Sequence, residues 1–340
     1  MLQDKNILFI SVRFFNYENI IKEKLEERGA VVDFFDERPS NSILVKGILR
    51  IKRDIYASKI KKYYDNLLEQ LHTKTYDYFL LIKGEVIPVY FIKKIKKMNP
   101  AIKMIYYNYD SFQNNPHALE FLPLFENRFT FDTEDAKRYN LSFRPLFYSD
   151  DYKKIRLKKK SPKREYDIAF IGTAHSDRYI ISENVGEKSQ KFGLSHFAYY
   201  YSQSKSVFYY KSLFDKSFKK FDIKKLSFQT LTHSQIIDIY EKSDCILDIN
   251  HPGQTGLTMR TFETLGAGKK LITTNQEIKK YKIYKTGNIL VIDRKNVKLD
   301  PSFFTDNTDK IEENDLYRMS IDGWIDDIFL EENSQPYSWF

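Results

Sequence analysis

The chain has 340 residues, 42% hydrophobic and 30% charged, which suits two domains of about 150–170 residues better than one. Its formal charge is +9 and it holds one cysteine, so an internal disulfide is excluded and a reducing, cytoplasmic compartment is expected. No apolar run approaches the ~18–20 residues that span a bilayer, and MLQDKNILFISVRFF at the start lacks the pattern of a signal peptide.

In chain order, NILFISV (6–12) reads as a buried strand and NIIKEKLEERG (19–29) as an amphipathic helix closed by Gly29. VVDFFD (31–36) is a second strand, and apolar positions three and four apart predict a long helix over 43–72. YDYFLLIKG (76–84) is a strand, PVYFIKKIKKMNP (88–100) a helix opened by Pro88, and AIKMIYYNYD (101–110) another strand. RFTFD (128–132) is followed by a short helix with Asp132 as N-cap and Asp135 at its third position, and then by FRPLFY (143–148). Residues 149–165 hold eight Lys and Arg and little apolar content, as a linker would.

A second series starts at YDIAFIG (166–172). It continues with a helix at 234–242, a strand at 245–249, a helix from about Leu257, a strand at 270–274 and NILVID (288–293). Residues 182–230 do not separate into elements, and a last helix is expected over 315–330. Alternation of this kind predicts an α/β protein of two Rossmann-like, doubly wound domains. The expected division is 1–150, a basic linker at 151–165, 166–314, and a helix and tail at 315–340 packing back on the first domain. Ligands of such sheets bind beyond the C-terminal strand ends, here in the cleft that the two domains would face.

The richest segment is HPGQTGLTMRTFETLGAGKKLITTN (251–275), which holds four of the twelve glycines. A strand ends near His251, and a loop with Gly253 and Gly256 feeds a helix that runs through Glu263 until Gly266 and Gly268 stop it. A helix N-terminus at a strand end, with its unpaired amide hydrogens, is suited to an anion. Thr255 and Thr258 add hydroxyl donors. Arg260 is a cation in the first turn, a position that makes sense with a phosphate between it and the helix. Glu263 is placed to accept two ribose hydroxyls. GAGKK is not a Walker loop, and Lys269 and Lys270 read as solvated residues after a helix cap.

This segment resembles the GT-B glycosyltransferases, in which a strand, a glycine loop and a helix carrying E-A-x-A-x-G hold a sugar nucleotide. The bacterial capsule and lipopolysaccharide type is the most similar, and the likeness covers about 235–293. It implies a donor site of His251, Thr255, Gly256, Thr258, Arg260 and Glu263, the last matching the ribose-binding glutamate. It adds Gly172, Thr173 and Arg178 from AFIGTAHSDRYIIS, where the loop after the second domain's first strand would face the diphosphate. His175 is a further phosphate or cap candidate in that loop. Retaining families often carry a second glutamate eight residues before the first, and Thr255 stands there instead.

In the first domain Glu85 and Asp110 follow strand ends, where a carboxylate could take the proton of an acceptor hydroxyl. No metal site and no cofactor is expected, the sugar nucleotide being a co-substrate. The expected partners are that donor and a saccharide or lipid-linked acceptor, with peripheral contact to anionic membrane from the basic surface. Nucleic acid is not expected, although a nucleic-acid-binding protein and a sugar-nucleotide epimerase of similar fold are the alternatives.

Overall fold

The computed structural model describes residues 2–40, 56–158, 164–174, 176–214, 221–329 and 337–340. The first part of the helix expected over 43–72, and His175, lie outside the described residues. In chain order the strands are β1 (Asn6–Ser11), β2 (Val31–Asp36), β3 (Tyr78–Ile82), β4 (Lys103–Asn108), β5 (Asn127–Thr130), β6 (Ser142–Phe143), β7 (Tyr166–Thr173), β8 (His196–Tyr201), β9 (Leu226–Ser227), β10 (Ser243–Asp248), β11 (Lys270–Thr273) and β12 (Ile289–Val291). The principal helices are α1 (Tyr17–Glu27), α2 (Ala57–Leu71), α3 (Val89–Met98), α4 (Thr133–Tyr139), α5 (Asp150–Leu157), α6 (Arg178–Gln190), α7 (Lys205–Phe214), α8 (His233–Glu241), α9 (Met259–Gly266), α10 (Glu313–Met319) and α11 (Ile321–Phe329). Among the described residues no helix is long and apolar enough to cross a membrane.

The chain forms two compact units, Met1–Pro145 with Ile321–Gln335, and Leu146–Ser320 with Pro336–Phe340. Each holds one six-stranded sheet with parallel pairings, ordered β2-β1-β3-β4-β5-β6 in the first and β12-β11-β10-β7-β8-β9 in the second. The order reverses between β1 and β3 in one sheet and between β7 and β10 in the other, the positions where doubly wound sheets bind ligands.

In the N-terminal unit β3 is buried along its whole length, as a strand with helices on both faces must be. Helix α2 turns Ile60, Tyr64, Leu67, Leu68 and Leu71 inward at helical spacing, and α3 does the same with Phe91, Ile92 and Ile95. Asp132 caps α4, accepting the amide hydrogens of Glu134 and Asp135 at 2.9 and 3.1 Å. Helix α11 joins this unit: Trp324 is fully buried, edge-on to Tyr107 at 4.9 Å, and Arg28 pairs with Asp322 and Asp326.

Three expectations need correction. Half of the linker expected at 151–165 is helix: α5 belongs to the C-terminal unit and buries Tyr152 and Ile155, three residues apart on one face. The single helix expected over 315–330 is two, broken at Ser320, whose extended backbone bridges to Tyr148. Only α11 packs with the N-terminal unit; α10 and the tail belong to the C-terminal unit, with Trp339 buried edge-on to Phe262.

Candidate functional site: the strand ends of the C-terminal unit

Strand β10 carries Cys245, Ile246 and Leu247 into the core and ends on Asp248, which is fully buried. A buried carboxylate needs partners. Asp248 Oδ2 accepts the hydroxyl hydrogens of Thr258 at 2.7 Å and Thr261 at 3.0 Å, and Oδ1 lies 3.4 Å from Arg260 Nη1. Thr258 is the N-cap of α9, yet it gives its hydroxyl to Asp248 and caps no helix amide. The first turn of α9 is therefore without its usual side-chain cap.

The two residues after Asp248 each hold an arginine from elsewhere in the unit. Arg178, the first residue of α6, donates from Nε to the Ile249 carbonyl at 2.8 Å. Arg294, just past β12, donates to the backbone and side-chain oxygens of Asn250, the latter at 2.7 Å. Its Nη1 also reaches both carboxylate oxygens of Asp177, the residue before α6, at 2.8 Å. Three guanidiniums thus meet three consecutive residues at one strand end. Burial, Arg260 and Arg294 push the Arg178 pKa down to about 10, against the pull of Asp248 and Asp177.

The glycine loop is built onto the same strand ends. Asn275, after β11, donates to the Thr255 and Gly256 carbonyls at 3.1 and 3.3 Å, and Asn250 donates to Gln254 at 2.9 Å. His251 is exposed, and its Nδ1 accepts the Gly253 amide hydrogen at 3.3 Å. Gly172 and Thr173 end β7, next to β10 in the sheet, and a Cβ on Gly172 would meet the Phe170 ring at 2.6 Å. Of the sequence-nominated residues, Gly172 and Thr173 thus end β7, Arg178, Thr258 and Arg260 meet the end of β10, and Thr255 and Gly256 are tied to Asn275 just past β11. Arg294 was not anticipated, since neither a glycine loop nor a helix start follows NILVID to mark it.

Glu263 is on α9 but buried, 6% exposed, with the Tyr240 hydroxyl 3.4 Å from Oε2. Farther along α9, the glycines serve the fold. A Cβ on Gly266 would come within 2.4 Å of the Tyr148 ring. Gly268 adopts a left-handed φ of 68°, and the bonds Gly268 N–H to Leu265 and Lys269 N–H to Thr264 end the helix in a Schellman motif. The lysines after it are not solvated as expected: Lys270 is buried and donates to the Asp306 carbonyl at 2.6 Å, and Lys269 to that of Glu241 at 3.2 Å. Stranded carbonyls at element ends are what those ammonium groups satisfy.

In the N-terminal unit, Glu85 and Asp110 share a cation. Lys83 Nζ lies 3.2 Å from Asp110 and 3.9 Å from Glu85, which is also bound by Arg38. Asp110 also accepts the Ser111 amide hydrogen at 2.9 Å and Asn114 Nδ2 at 3.0 Å. Among the described residues no three His, Cys, Asp or Glu side chains are grouped as metal ligands.

No protein-family model matches the chain, and no curated protein matches it in sequence. Solved structures do match its architecture. An alpha-glucosyltransferase in complex with UDP and a mismatched 13-mer DNA superposes with a TM-score of 0.52 at 13% identity, over 93% of this chain and 88% of that one. The catalytic domain of starch synthase IV from Arabidopsis thaliana, bound to ADP and acarbose, gives 0.51 at 9% identity, over 94% and 95%. The apo lipopolysaccharide outer core galactosyltransferase WaaB gives 0.50 at 11% identity, over 95% and 99%. The fold is GT-B. At these identities the likeness is one of fold, and the GT-B neighbours are glycosyltransferases.

Proposed function

We propose that this protein is a glycosyltransferase that moves a sugar from a nucleotide-activated donor to a saccharide or lipid-linked saccharide. The observation that carries this reading is the meeting of Arg178, Arg260 and Arg294 at residues 248–250, beside the glycine loop and the start of α9. A nucleoside diphosphate gains charge as it leaves the anomeric carbon, and fixed cations aimed at it lower that barrier. The arginines supply the charge, so no step is assigned to a divalent metal. Glu263 is assigned the ribose, as the resemblance of 235–293 implies, and cell-surface polysaccharide synthesis on the cytoplasmic side follows from the same resemblance. The charge of +9 supports peripheral contact with anionic membrane.

The acceptor belongs to the N-terminal unit in this reading. Asp110, the more exposed of the two acids, takes the proton of the attacking hydroxyl as the new C–O bond forms and the sugar–phosphate bond breaks. Lys83 holds that carboxylate in place, and Glu85, tied to Arg38, is its neighbour. The test is turnover of UDP-, GDP- and dTDP-sugars with and without saccharide acceptors. Acceptor-dependent release of nucleoside diphosphate, lost in Asp110→Asn and Glu263→Ala with the fold intact, is expected. Conversion of the donor without any acceptor would instead make the enzyme an epimerase.

A further inference from the structure

The loop after β1 spends stability in an unusual way. Phe14 and Phe15 are 46% and 62% exposed, although burying a phenylalanine is favourable by about 1.5–3 kcal/mol. Phe15 and Asn16 both adopt left-handed backbone, with φ of 51° and 69°, a conformation that a phenylalanine rarely takes. The surroundings hold it there: Glu18 Oε2 accepts the Phe14 amide hydrogen at 3.0 Å, and Asn19 Nδ2 donates to Asn16 Oδ1 at 2.6 Å. Strain maintained in this way marks ligand-handling sites more often than accidents.

The two rings are set edge to face at 4.6 Å, and Phe14 stacks on Tyr109 at 5.7 Å with 21° between planes. Tyr109 precedes Asp110, so the aromatic loop reaches directly to the carboxylates at the ends of β3 and β4. Two polar groups there are out of water and without a partner among the described residues: the Tyr109 hydroxyl and Glu37 Oε2, on a side chain that is fully buried. Arg38, Lys83, Glu85 and Asp110 complete the surroundings with charged donors and acceptors.

We infer that Phe14 and Phe15 form a stacking platform for a saccharide, whose hydroxyls are read by Asp110, Glu85 and Lys83. A sugar ring is the partner that offers an apolar C–H face and several hydroxyls side by side; an alkyl chain would leave the charged groups unanswered. This deepens the function proposed above by naming the acceptor's recognition, and it rests on that reading for the role of the bound sugar.

Saturation-transfer NMR without any donor tests it, with octyl β-D-glucoside below its micelle concentration and the methyl glycosides of glucose, galactose, N-acetylglucosamine and rhamnose as probes. Saturation is expected on sugar protons of at least one probe. Phe15→Gly, which suits the left-handed backbone, should weaken it by about tenfold or more, and Phe15→Trp should retain it. The UDP-induced rise in melting temperature, read separately, should be the same in all three proteins. Transfer to the octyl chain alone, unchanged sugar binding in Phe15→Gly, or no transfer to any probe overturns the proposal. Sugar binding in a protein that UDP does not stabilise would leave this site standing and remove the donor site instead.

Discussion

Arg178 Nε sits 2.8 Å from the Ile249 carbonyl, and the adjacent residues Asp248 and Asn250 bind Arg260 and Arg294. The arrangement concentrates like charge: burial first, and then Arg260 and Arg294, lower the pKa of Arg178, yet at about 10 that group stays charged at neutral pH. An anion that enters relieves the repulsion and stabilises the fold by mass action.

UDP and pyrophosphate should therefore raise the melting temperature, and the effect should shrink as salt is added. Arg294→Ala should weaken UDP binding by roughly tenfold or more, the loss of a charge-assisted bond. Scanning fluorimetry across a nucleotide titration checks this; an unchanged titration in the variant would remove Arg294 from the site.

Asp248→Ala should cost about 3 kcal/mol or more in urea unfolding, because it strips Thr258, Thr261 and Arg260 of a common acceptor inside the protein. A loss below about 1 kcal/mol would mean that water replaces it without penalty.

Glu37 gives a pH signature. Burial, with the charge of Glu85 nearby, pushes its carboxyl up to about 7, although the amide hydrogens of Val86 and Ile87 pull it down. Its folded pKa is above its unfolded one, so the folded state binds the proton more tightly and this group's contribution falls as pH rises from about 4.5 to about 7. Glu37→Gln keeps an acceptor for the two amides and should flatten that slope, by something on the order of 3 kcal/mol across the window. Chemical denaturation at several pH values measures it, and parallel curves for the two proteins would refute it.

Gly266→Ala should destabilise by about 1–3 kcal/mol, since the added methyl meets the Tyr148 ring rather than open space. Calorimetry of the purified variant reads this directly, and a neutral result would show that the ring can move aside.

Most strands and the strand–loop–helix around 245–268 were legible because apolar runs and glycines mark them locally. What escaped was decided by contacts distant in sequence. Arg294 has no motif around it; only its placement beside Asp177 and Asn250 gives it a role. The lysines of α5 masked Tyr152 and Ile155, two residues being too few for a periodic signal. Lys269 and Lys270 read as surface residues because no sequence pattern announces a carbonyl waiting across the chain. Glu85 and Asp110 were found singly, as acids after strands; that Lys83 joins them required the left-handed turn at Lys83 and Gly84.

Because α11 returns to the N-terminal unit, neither half of the polypeptide is self-sufficient as a continuous stretch. Cutting after Pro145 would deprive β4 of Trp324, Arg28 of Asp322 and Asp326, and Arg144 of Asp327. Moving either unit between proteins of this fold therefore requires junctions at both 145/146 and 320/321, and a graft with only the first should emerge insoluble.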